Sequence, residues 1–400
     1  MGSLAEDCTP PDARELLHDP NFLTMKAFFT QLKPKRQIAF AAATLSVLVS
    51  MAACAPGDGP VAGDADGEGT PTAASGGTID ISGAGATFPA PLFQRWFDAY
   101  NREVDSSVQV SYQSVGSGAG LEQYINGTVD FGASEAPITD SEDRMKSFED
   151  AYPYEPLQIP MTGGFLSFSY NLPGVDNLEL RLTREAYCGI VTGEITQWTD
   201  PMIVAANPDL DLPNLPITWA HRSDGSGTTF VFTNHIDTIC PSWTAGAGTS
   251  VDWPVGIGGQ GNEGVAATIQ QNEGAIGYLS YAYAALNDID SALIENQAGN
   301  FLEPSPQNAA NALLGEEVPE DFALLVPDPS GEDAYPIVGL AWVMIYRQYD
   351  DAAKWEAMRA TFEWALGPEG QAIAEELFYV PIPDELVERI KEAFDEVQAG

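Results

Sequence analysis

The feature that most constrains this chain is a local unit that recurs: a strand-like segment, a turn of glycines and hydroxyls, then a helix-like segment. "TIDISGAG" alternates as a strand and enters "GAGATFPAP" (83–91). "APLFQRWFDAYNREV" follows and places Leu92, Phe93, Trp96, Phe97 and Tyr100 on one helical face. "SVQVSYQSVG" alternates again, "GSGAG" (116–120) opens the helical "SGAGLEQYINGT", and "VDFGAS" returns as a strand. A third unit runs through "DGSGTT" (224–229). "GGFLSFSYN" and "PIVGLAWVMIYR" read as strands, and "NEGVAATIQQ" as a helix closed by Asn272-Glu273-Gly274. "DAAKWEAMRATFEWAL" and "DELVERIKEAFDEVQ" are helical. Strands alternating with helices predict an α/β fold with largely parallel sheets.

The turns also carry chemistry. The first backbone N–H groups of a helix have no partner inside it, and the dipole adds partial positive charge there. Glycine lets a ligand approach the main chain, and hydroxyls supply further donors. Pro89 suits the first turn of a helix starting just after Thr87 and Phe88. An oxyanion is the ligand that such helix ends accept most readily. One such turn is ordinary capping. Several that converge at the carboxyl ends of strands, as open α/β sheets arrange them, make a site.

Charge narrows the partners. Asp and Glu number 58 against 17 Lys and Arg, a formal net charge of -41. Nucleic acid is excluded, because phosphate-backbone binding needs clustered basic residues that are missing here. The acidity is spread along the chain, which fits either a surface adapted to concentrated salt or a merely acidic secreted protein. Such a field is expected mainly to slow the capture of an anion. The length suits two domains.

The N-terminus predicts export. Lys33, Lys35 and Arg36 precede an uncharged apolar stretch, Ile38 to Ala53, ending "SMAAC" at Cys54. Residues 25–53 thus read as a lipoprotein signal peptide, with Cys54 as the lipidated first residue of the mature chain. Met51 stands where such signals usually carry leucine, three places before the cysteine. Residues 1–24 read as an extension from a start codon placed too early, and 54–77 as a flexible tether. Cys188 and Cys240 either pair as a disulfide in the exported body or remain two buried thiols. They form no metal site, since none of the three histidines stands at ligand spacing. No cofactor is expected.

"ISGAGATFPAPLFQRW", "VDFGASEAP", "HRSDGSGTTFVFT" and "WPVGIGGQGNEGVAATIQQNEGAIGYLSYAYA", with their spacing, closely resemble the periplasmic phosphate-binding proteins of ABC-type phosphate uptake systems. The resemblance runs from about residue 78 to 390. It implies a two-lobed periplasmic-binding-protein (type II) fold that clamps inorganic phosphate in an interlobe cleft and delivers it to an ABC transporter permease. Together with the signal peptide and Cys54, it gives the expectation of a monomeric, lipid-anchored, extracytoplasmic receptor. The first lobe would take residues 78–163 and 338–400 and the second 164–337, with a hinge near Gly163-Gly164 and residues 336–338.

Carried onto this chain, the resemblance gives Thr87 and Phe88 as hydroxyl and main-chain donors, joined by Ser117 from the second turn. Arg222 is the single cation, making charge-assisted bonds that a rigid guanidinium favours. Asp224 holds it in place, and Ser226, Gly227 and Thr228 line a helix start. Glu135 stands where the family has an aspartate. An ionised carboxylate only accepts, so it pairs with hydrogen phosphate and repels sulfate. The extra carbon adds about 1.5 Å of reach. Either the loop backs away to compensate, which is the expectation, or Glu135 points elsewhere and selectivity weakens.

Competing readings carry less. No Gly-x-Ser-x-Gly elbow surrounds Ser114, Ser117 or Ser226, so a phosphatase-like enzyme lacks its nucleophile. The adjacent cation is expected to lower the pKa of His221, the nearest base. "GIGGQG" (256–261) fits a dinucleotide fingerprint only formally, without the acidic residue about twenty positions on. Arsenate also carries a proton and remains an alternative ligand, while sulfate or molybdate would require Glu135 to turn away.

Overall fold

The computed structural model describes residues 77–400, so the expected leader (1–24), signal peptide (25–53), Cys54 and all but the end of the tether lie outside the described residues. The first elements are β1 (Ile79–Gly85), α1 (Ala90–Glu103), β2 (Val108–Ser114), α2 (Ser117–Ile125) and β3 (Phe131–Ser134). After α3 (Glu142–Ala151) and the long β4 (Leu157–Asn171) come α4 (Arg184–Thr192), β5 (Thr218–Arg222) and α5 (Gly227–Ile239). The chain continues through β6 (Ile257–Gly259), α6 (Gly261–Gln271), β7 (Ala275–Ser280) and β8 (Val338–Ile345). Three helices close it: α7 (Ala352–Ala365), α8 (Pro368–Glu376) and α9 (Asp384–Asp395).

Each of the three turns joins a strand to a helix, as the sequence pattern requires. All five apolar residues of the α1 face are buried, and Trp96 Nε1 donates to Gly370 O at 2.6 Å, tying α1 to α8.

The strand order is β2-β1-β3-β8-β4-β7-β5-β6. Strands joined through helices are parallel: β1 pairs with β2 and β3, and β5 with β6 and β7. The expectation of largely parallel sheets fails at the centre. β8 is antiparallel to β3 and β4, and β4 is antiparallel to β7. A helical crossover fixes the direction only of strands it connects directly. β4 and β8 meet these neighbours by other routes.

β4 builds the two-lobed plan. Its first part, Leu157 to Phe165, pairs with β8, and its second part, Leu166 to Asn171, pairs with β7. One strand therefore belongs to both half-sheets. It is buried along nearly its whole length, and so reads as a continuous run instead of an alternation. It also starts six residues before the expected Gly163. Pro160, which marks a break in the sequence, sits beside a register irregularity at Ala341 and Trp342, where a missing N–H is tolerated.

Cys188 on α4 and Cys240 at the end of α5 are bonded, with Cα atoms 5.6 Å apart. The disulfide alternative is therefore the one adopted.

Candidate functional site

Arg222 is the last residue of β5, and its side chain is only 1% exposed. Its Nε donates to Asp224 Oδ1 at 2.8 Å and Nη2 to Asp224 Oδ2, a two-point fork that fixes the guanidinium plane. Nη1 remains for Thr228 Oγ1 at 3.2 Å. Burial works against the charge on Arg222, and the Asp224 carboxylate outweighs it, so the guanidinium is held above its usual range. Burial also works against Asp224, where the Arg222 bond and charge and the Gly261 N–H prevail and hold the carboxyl below its ordinary value. This is no surface salt bridge. It is a buried cation with one edge engaged and the other turned toward the cleft.

Facing it are groups from the other half-sheet. Ser117 opens α2, and its Oγ donates to Glu135 Oε2 at 2.8 Å while accepting from Gly227 N at 3.0 Å. Glu135 follows β3, is 1% exposed, and accepts from Thr228 Oγ1 at Oε1, also 2.8 Å. Glu135 therefore points into the cleft, between hydroxyls contributed by both halves. Burial raises its pKa, and the two hydroxyl bonds and Arg222 only partly offset that. Two glycines make the approach possible. A Cβ on Gly227 would lie 2.3 Å from Glu135 Oε2, and one on Gly116, at φ +88°, would lie 2.4 Å from Asp224 Oδ2. Gly118 N also donates to Gly225 O at 2.9 Å, so the second and third turns meet directly.

The remaining expected residues divide. Thr87 is buried in the cleft, with its hydroxyl bonded to Asn262. The Phe88 ring instead belongs to the core, edge-on to Tyr379 and against Gly164, and its carbonyl accepts from Tyr379 OH. Ser226 caps α5, accepting from Thr229 N at 3.0 Å, so its lone pair serves the helix. His221 stacks on Trp253 with centroids 4.9 Å apart. Its pKa is lowered, as expected, but burial and not the neighbouring cation is the cause.

Sequence reasoning missed Asn262, fully buried at the start of α6. Its Nδ2 reaches Thr87 Oγ1 at 2.8 Å and Thr228 Oγ1 at 3.1 Å, spanning the two halves. The signal was present: "GGQGNEG" is a fourth glycine-rich turn between a strand and a helix. Tyr283, whose OH donates to Thr87 O at 2.7 Å, carried no such signal. Among the described residues no cluster could hold a metal ion.

Two half-sheets sharing a strand, with polar turns facing each other across a cleft, define a two-lobed solute-binding protein. A family model described as the PBP superfamily domain matches residues 68–362. The phosphate-binding protein PstS of Xylella fastidiosa (strain Temecula1) is 37% identical over 366 residues, covering 89% of this chain and 98% of that one. The phosphate-binding protein PstS of Haemophilus influenzae is 40% identical over 317 residues, covering 78% and 91%. The fold is shared with a periplasmic phosphate-binding protein (PfluDING) solved with phosphate, at TM-score 0.66 and 21% identity, covering 78% of this chain and 93% of that one. The chain belongs to the family of PstS phosphate-binding proteins.

Proposed function

We propose that this protein binds inorganic phosphate, as hydrogen phosphate, outside the cytoplasmic membrane and delivers it to an ABC transporter. The observation that carries the reading is one buried cluster: a fork-locked Arg222, the hydroxyls of Thr87, Ser117 and Thr228, and one carboxylate, Glu135. Aimed donors and one cation suit a tetrahedral anion, and a lone acceptor suits its proton. The main chain after Thr87 would add an N–H donor, and Gly227 another once its N–H leaves Ser117 Oγ for the anion, while Ser226 would shape the α5 terminus. The membership in the PstS family supports the same ligand. Net charge need not attract phosphate, because these groups act at contact distance and distant carboxylates are screened.

The lobes would be residues 78–163 with 338–400, and 164–337, closing about the β4–β8 pair, where Gly163 and Gly164 stand opposite Leu340 and Gly339. The receptor would act as a monomer, carried on a lipid at Cys54, and would not be an enzyme. His221, the nearest base, is stacked and bonded to a main-chain carbonyl, which supports that last point. Calorimetric titration with phosphate, arsenate and sulfate tests the reading: phosphate and arsenate should bind and sulfate should not. Sulfate binding as tightly as phosphate, or turnover of a chromogenic phosphate ester, would sink it.

A further inference from the structure

Asn262 lies in the first turn of α6, where a main-chain N–H has no helical partner. Its Oδ1 accepts from Ser280 N at 2.9 Å. A main-chain N–H can only donate, so this bond fixes which way the amide faces. The NH2 side is therefore committed to the hydroxyls of Thr87 and Thr228.

A threonine hydroxyl has two lone pairs and one proton. Thr87 Oγ1 receives both Asn262 Nδ2, at 2.8 Å, and Asn262 N, at 3.2 Å. Both are obligate donors, so both lone pairs are used and the Thr87 proton must point away from them. Thr87 is 2% exposed, and among the described residues no acceptor for that proton is present. Thr228 Oγ1 likewise receives Arg222 Nη1 at 3.2 Å and Asn262 Nδ2 at 3.1 Å, and its proton goes to Glu135.

We propose that Asn262 is a positioning residue that orders the hydroxyl protons of this site, holding the Thr87 proton ready for the anion and sending the Thr228 proton to Glu135. The inference rests on reading the site as a phosphate receptor. A pre-aimed Thr87 hydroxyl needs no reorientation when the anion binds, which saves ordering cost. It also leaves Glu135 as the group that accepts, so a ligand with more than one proton to donate lacks partners.

The test compares Asn262→Asp with Asn262→Ala, measuring phosphate affinity by calorimetry and melting temperature in parallel. Aspartate is nearly isosteric but accepts where asparagine donates. It should draw both threonine protons toward itself, turning a Thr87 lone pair toward the anion and a Thr228 lone pair toward Glu135. Phosphate affinity at pH 7 should fall on the order of 10³-fold, as two reversed hydrogen bonds imply. Asn262→Ala frees the hydroxyls to rotate and should lose on the order of 10-fold. Lowering the pH should restore part of the affinity in Asn262→Asp alone, because a protonated acid again donates one of the two bonds. A packing role gives the opposite order, alanine being worse than aspartate, and that order overturns the inference. If Asn262→Asp does not fold, a cycle of Thr87→Val with Asn262→Ala decides: less than additive losses support the inference, and full additivity overturns it. Wild-type protein that takes up no phosphate overturns the functional reading itself, whereas wild-type binding with the wrong variant order overturns only the role of Asn262.

Discussion

Replacing Glu135 by glutamine removes one charge and one acceptor from a cluster in which both carboxylate oxygens are used. Its oxygens accept at 2.8 Å from Ser117 and from Thr228. The glutamine NH2 cannot face Thr228, whose lone pairs already receive Arg222 and Asn262. It must face Ser117, which keeps one lone pair beyond the one given to Gly227 N. The side chain therefore stays in place, and only its electrostatics change. Two unit charges about 4 Å apart at an effective dielectric near 20 repel by about 4 kcal/mol. Relaxation of the site should leave roughly 2–3 kcal/mol of that, or about 10²-fold in affinity. Sulfate, with no proton for Glu135 to accept, gains all of it. Phosphate loses its acceptor and its repulsion together and should change little. Calorimetry on both variants at pH 7 and matched ionic strength should show the phosphate-to-sulfate preference falling about 10²-fold in Glu135→Gln. A preference unchanged within about threefold would refute the argument. Because burial raises the Glu135 pKa, sulfate binding to wild type should also strengthen as pH falls, from a higher pH than an exposed glutamate would give. In Glu135→Gln that pH dependence should vanish.

Other consequences can be measured separately. Arg222→Lys keeps the charge but not the fork to Asp224, so phosphate affinity should fall at least ~10²-fold without rescue by the conserved charge; affinity within a factor of about three of wild type counts against the geometry. Asp224→Ala leaves a buried guanidinium unpaired and should cost about 3–5 kcal/mol in urea unfolding. Reducing Cys188–Cys240, which spans 52 residues, should cost about 4 kcal/mol of stability while leaving phosphate affinity near wild type. His235 is buried, bonded to Pro327 O and Tyr187 OH, and burial lowers its pKa to about 4. A folded-state pKa below the unfolded 6.5 means its contribution is present above pH 6.5 and is lost as pH falls toward 4, in all about 3 kcal/mol. His235→Gln should flatten the wild-type stability curve across that window, and an unchanged slope would show that another group governs it.

What the sequence determined by itself was local. The turns at 83–91, 116–120 and 224–229 combine glycine, hydroxyl and helix start within a few residues, so their donor chemistry needs no tertiary information. The α1 face was readable for the same reason, since its periodicity is a property of one helix. The direction of β8, the two partners of β4 and the choice between disulfide and free thiols were not, because each depends on residues far apart in the chain. Arg222 could be named from its motif, but only packing made it a buried cation with Asp224 along one edge. Asn262 shows the boundary most clearly. Its type is ordinary for a helix start, and its reach to Thr87 and Thr228 exists only because the fold closes two half-sheets over it. Donors are written in the order of residues, whereas the direction of each proton is set by which neighbours have already used the lone pairs.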